Sequence, residues 1–152
     1  MSGDLPRLWR VPLLILGMIS LFGGMAAGLL RLGWNFPLPA TASILDHGPL
    51  MIGAFFGTVI SLERAVALGT RWAYGAPLLA SLGGLALLAG FSSPTGPALL
   101  FAGSLVMVAG SLQVYRRQRA LHTLTLALAA AIWATGNALW LAGFVIPAVA
   151  PL

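Results

Sequence analysis

The chain has 152 residues, 59% of them hydrophobic and only 7% charged, with eight arginines, no lysine and no cysteine. So little charge cannot cover the surface of a water-soluble domain, and apolar runs of about 20 residues match the roughly 30 Å hydrocarbon core of a bilayer. The formal charge of +5 is then a matter of membrane topology and not a nucleic-acid signal, and the absence of cysteine excludes disulfides, thiolate metal sites and iron–sulfur clusters.

Five membrane-spanning helices are expected in one domain, at about 11–30, 43–68, 76–91, 97–115 and 121–146. The fold class is an all-α integral membrane bundle, because a backbone in lipid must satisfy its own hydrogen bonds and no ten-residue alternating strands suggest a barrel. Arg7 and Arg10 ahead of the first stretch could mark a secretory signal, but Val11–Leu30 exceeds a signal core and reads as an uncleaved span. Arg64 and Arg71 stand at the junction of the second and third spans, and Arg116, Arg117 and Arg119 between the fourth and fifth. With five spans, seven of the eight arginines fall on one side and Arg31 alone on the other. The positive-inside rule then puts the N-terminus in the cytoplasm and the C-terminus outside. Trp72, Tyr74 and Tyr115 fit the inner aromatic belt, and Trp34 and Phe36 the outer one. Arginine without lysine, with abundant Ala, Gly and Leu, fits a GC-rich bacterial genome and so a multi-pass protein of the bacterial inner membrane.

Small residues recur at packing intervals: Gly24 and Gly28 in the first span, Gly53 and Gly57 in the second, Gly103 and Gly110 in the fourth, Gly136 and Gly143 in the fifth. Such pairs let helix backbones approach closely; the sharper reading is that they open room for a flat macrocycle.

Polar groups inside a membrane are costly, and each is a functional candidate. They are Asp46, His47, Glu63, Arg64, His122 and Asn137. Ser43 with Asp46 has the spacing of a capping box; alternatively Gly48 caps the helix and Pro49 opens it. Either way His47 lies near the outer end of the second span with Met51 one turn below on the same face. An imidazole there can ligate haem iron or copper, or merely bond a carbonyl or headgroup at the interface. His122 sits at the opposite, cytoplasmic level, too far away to share an iron with His47. Two copies of His47 could meet across a parallel two-fold axis.

Glu63 and Arg64 lie about 24–26 Å down the helix from His47. Glu63 is expected to pair with Arg10, Arg117 or Arg119; a proton-linked carboxylate is the functional alternative. Trp133, Asn137, Trp140 and Phe144 form one face of the fifth span, on which Asn137 is expected to hydrogen-bond across a helix pair or to sit over a ligand edge. Thr123 and Thr125 are expected to bond back to their own helix. No catalytic nucleophile–base pair, phosphate loop or carboxylate pair is present, so the chain is not expected to be an enzyme by itself.

The stretch His47-Gly-Pro-Leu-Met-Ile-Gly-Ala-Phe-Phe-Gly57 resembles the His-Gly-x-x-Met-x-x-x-Phe pattern on the second helix of haem–copper oxidase catalytic subunits. With its continuation Leu62-Glu-Arg-Ala-Val-Ala-Leu68 it is still more similar to NnrS-type haem–copper membrane proteins, most of which have many more spans, so the chain looks like a half-length version. The resemblance implies a haem b ligand, or a copper ligand, at His47, with Met51, Gly53 and Gly57 around it. The functions to weigh are electron transfer or haem, copper or nitric-oxide handling, in a homo-oligomer or a larger membrane complex. The alternatives are a non-catalytic accessory subunit, or a small dimeric transporter coupled through Glu63.

Overall fold

The computed structural model describes residues 4–34, 44–91 and 94–144. It contains five long helices, and no strand among the described residues: α1 (Arg7–Arg31), α2 (Pro49–Leu68), α3 (Gly75–Leu88), α4 (Thr95–Arg117) and α5 (Leu121–Leu141). Ser43 of the expected capping box, Phe36 of the outer belt, residues 92–93 and the tail of the fifth span through Ile146 lie outside the described residues.

Four helices, α1, α2, α4 and α5, are long and apolar enough to cross a membrane. The third expected span is present as a helix but is shorter than the expected 76–91, at 14 residues. It rises about 21 Å, and the 3-10 turn Arg71–Tyr74 that runs straight into it adds roughly 8 Å, close to the depth of the hydrocarbon core. Hydropathy cannot tell lipid from protein as the apolar neighbour, and for the small-residue face of α3 the neighbour is protein. It packs against α1, both halves of α2, and α4, burying Ala76, Ala80, Ser81, Gly83, Gly84 and Ala86. Its small residues make the face that meets the other helices, while Leu78 and Leu82 look outward.

Close contacts set the directions. Against α1, Gly28 meets His47, Gly24 meets Leu50 and Met51, and Gly17 meets Thr58, so α1 and α2 are antiparallel. Gly23 meets Leu88 and Gly84 meets Ser20, while Arg10 lies 6.0 Å from the Tyr74 ring centroid, so α1 and α3 are parallel. Gly83 meets Leu100 and Gly103 meets Ala76, which makes α4 antiparallel to α3. One end of the bundle therefore gathers the start of α1, the end of α2, the start of α3 and the end of α4. There Leu13, Leu62, Ala65, Leu68, Ala73 and Tyr74 form a core cluster, with Leu5 and Val114 against it. Arg7, Arg10, Arg64, Arg71, Arg116, Arg117 and Arg119 share this end, and Arg31 lies at the other.

The first half of α2, Pro49–Phe56, is a π-helix, and Gly57–Leu68 continues as α-helix. Pro49 has no N–H and so removes a rung of the ordinary four-residue ladder; the wider five-residue ladder begins there. A 3-10 turn at Ile44–Asp46 leads into helical His47 and Gly48, so Pro49 meets a backbone that is already wound. At the far end Gly69, φ 63°, closes α2 in the left-handed conformation.

Candidate functional site

His47 enters the bundle at the end opposite the arginine cluster. Its ring lies on α1 at Gly28, where a Cβ would stand 2.9 Å from both Cε1 and Nδ1. Nδ1 is 2.7 Å from the carbonyl oxygen of Gly24. A carbonyl can only accept, so Nδ1 carries the proton and donates. In the neutral ring that leaves Nε2 as the lone-pair nitrogen, the arrangement that orients metal-ligating histidines.

Met51 shares the seat. A Cβ on Gly24 would lie 2.9 Å from its Sδ and 3.2 Å from Leu50 Cβ. His47 bonds the carbonyl of the residue whose Cα Met51 covers, so the expected imidazole–thioether pair is brought together on one patch of α1. Glycine at both positions makes this possible; the Gly24/Gly28 spacing was read from the sequence as helix packing or as room for a macrocycle, and not as a seat for these two side chains. Two glycines four apart facing a His and a Met four apart on an antiparallel neighbour are the signal that could have found it.

Gly53 and Gly57 serve other neighbours. A Cβ on Gly53 would stand 3.0 Å from Leu100 Cδ1, and one on Gly57 2.9 Å from Trp133 Cζ2. Side chains of α4 and α5 fill the space these glycines leave. On α5, Trp140 packs against the cluster of Ala54, Ala80 and Leu100, and Asn137 is buried. Phe144, expected on the same face, is exposed. The expected hydrogen bond of Asn137 across a helix pair is not formed: its Nδ2 is buried with no partner.

At the arginine end the expected ion pair of Glu63 is also not formed. Glu63 is exposed on the outer side of α2, and the one ion pair among the described residues joins Arg10 to Asp4. Arg10 folds back on its own chain, with Nε and Nη2 donating to the Leu5 carbonyl at 3.1 and 2.8 Å. Tyr74 Oη donates to Asp4 Oδ1 at 2.6 Å. That hydrogen bond, aided by the Arg10 charge, holds the Asp4 carboxyl below its ordinary 3.8. The Asp4–Arg10–Tyr74 tie crosses 70 positions of sequence and was not anticipated. Arg64 has its Nε buried with no partner. His122 is exposed at the start of α5, at the level opposite His47. Thr123 donates to the carbonyls of Gln118 and Ala120, and Thr125 to Leu121, so both bond back locally.

The donor set tests which cofactors suit the site. One imidazole and one thioether suit a haem iron, whose macrocycle supplies four nitrogens, or a soft cuprous ion. They do not suit a multi-histidine copper centre: no group of three His, Asp or Glu side chains that could hold a metal exists among the described residues. No curated protein and no solved structure matches the chain. Residues 10–152 match the family model described as a domain of unknown function, DUF8744, and the chain belongs to that family.

Proposed function

We propose that this protein is a multi-pass component of the bacterial inner membrane that holds haem b or a copper ion through His47 Nε2. It would serve electron transfer or haem, copper or nitric-oxide handling within an oligomer or larger complex, and not as an enzyme by itself. The observation that carries the reading is the hydrogen bond from His47 Nδ1 to the Gly24 carbonyl, which fixes the tautomer a ligand needs. Met51 is the second candidate ligand, packed on Gly24. A bound haem iron or copper ion would supply a one-electron couple; the chain would orient the imidazole and cover one side with α1. Gathering of seven arginines at the other end of the bundle supports an N-terminus in the cytoplasm, a C-terminus outside and His47 near the outer face.

A second reading has its own support. Leu100 and Trp133 fill the space over Gly53 and Gly57, which favours an accessory subunit whose glycines only pack helices. The visible spectrum and metal content of the detergent-purified protein separate the two. A Soret band, or stoichiometric copper, that is lost in His47→Ala and kept in His122→Ala supports cofactor binding. A colourless, metal-free protein that does not take up haem or cuprous ion overturns it in favour of the accessory role.

A further inference from the structure

At the arginine end the positive charge is left almost unanswered. Asp4 is engaged by Arg10 and Tyr74, and Glu63 is the other acidic residue there. Among the described residues no carboxylate pairs with Arg7, Arg64, Arg71, Arg116, Arg117 or Arg119. Two polar atoms at the end of α2 are buried without any hydrogen-bond partner, Arg64 Nε and Thr70 Oγ1. A buried donor without an acceptor is costly to a fold, and a guanidinium is built to meet an oxyanion through paired N–H groups.

More cations lie at the same end of the bundle. The turn that carries Thr70 packs on α4 at Gly110, where a Cβ would stand 3.1 Å from Leu68 Cδ1 and 3.8 Å from Trp72 Cη2. Arg116 and Arg117 lie about 10 Å further along α4 and are exposed, as is Arg71 on the turn itself. Trp72, beside Arg71, is 46% exposed, the position an indole takes at headgroup depth. Basic residues between helix ends on the cytoplasmic side suit anionic headgroups.

We propose that this end of the bundle holds the phosphodiester of an anionic phospholipid, with Arg64 and Thr70 seating the phosphate and Arg71 and Arg116 flanking it. The site is separate from His47 and does not depend on any cofactor there. The ligand chemistry is a phosphate oxyanion, and the lipid is preferred over free phosphate because exposed Trp72 offers an apolar surface beside the charges.

The full chain in nanodiscs of equimolar phosphatidylglycerol and phosphatidylcholine, analysed by native mass spectrometry, tests the proposal. Phosphatidylglycerol should be retained preferentially. Arg71→Gln and Arg64→Gln should each weaken retention about fivefold, the factor given by about 1 kcal/mol per basic residue. Thr70→Val should weaken it, and Arg31→Gln, at the opposite end, should leave it unchanged. Arg71 is exposed, so its variant carries the test even if Arg64→Gln does not fold. Equal retention of the two lipids, or the same loss in Arg31→Gln, overturns the proposal. So does displacement of the lipid by millimolar inorganic phosphate, which would make the free anion the ligand.

Discussion

The two ends of the bundle are held together in different ways. At the arginine end large side chains do the packing, with Leu13, Leu62, Leu68 and Tyr74 in one cluster, and side chains bond to side chains through Asp4, Arg10 and Tyr74. At the histidine end the backbone is the partner: His47 bonds a carbonyl, and Met51 lies on a glycine Cα. A carbonyl inside a helix is fixed by its own ladder, whereas Arg10 must spend rotamer freedom to hold its place. The lesson is that the end with almost no charge seats its polar side chain on helix backbone, whereas Arg10 at the charged end is held by a carboxylate and by the Leu5 carbonyl outside any helix.

The contrast can be broken most forcefully where three helices meet on a glycine. A Cβ on Gly84 would lie 2.6 Å from Ala54 Cβ and closer still to Ser20 Oγ. Gly84→Val should therefore cost about 3 kcal/mol by overpacking, read from unfolding in detergent; a change below about 0.5 kcal/mol would mean that the helices separate freely. A smaller and more local effect is expected from Gly28→Ala, about 1–2 kcal/mol. The His47 ring must move, and nitrogen NMR of the imidazole should change from one fixed tautomer to a mixture. An unchanged spectrum would show that α1 does not set the tautomer.

The smallest effect belongs to the other end. Tyr74→Phe removes the hydrogen bond that lowers the Asp4 pKa. A carboxyl whose folded pKa is depressed contributes stability above its ordinary 3.8 and loses it as pH falls through the lower, folded value. The wild type should therefore exceed Tyr74→Phe in stability at neutral pH, and the gap should shrink below pH 3.8. A gap that stays constant across this range would dissociate Tyr74 from the Asp4 charge.

Much of the fold was legible because bilayer-length apolar runs, arginines at their ends and paired glycines are local signals. The pairing of His47 with Met51 was legible too, since four residues of helix bring two side chains to one side. Three features were not. The central place of α3 depends on what surrounds it, and its Ala and Gly content alone does not say that α1, α2 and α4 pack on it. The Asp4–Tyr74 bond joins residues whose types occur at many interfaces, with nothing local to match them. Asn137 carries a strong expectation of a partner, yet its Nδ2 is buried without one, and complementarity between distant positions is invisible in one sequence.

The π-helical stretch of α2 has a consequence for length. A chain shortened by one residue within Pro49–Phe56 could close that turn into ordinary α-helix, with both flanks still wound. His47 would then swing around the axis away from Gly24 while Thr58 kept its place at Gly17. The bulge thus sets the rotational phase between the outer and inner halves of the same rod, and a single deletion there would retune it.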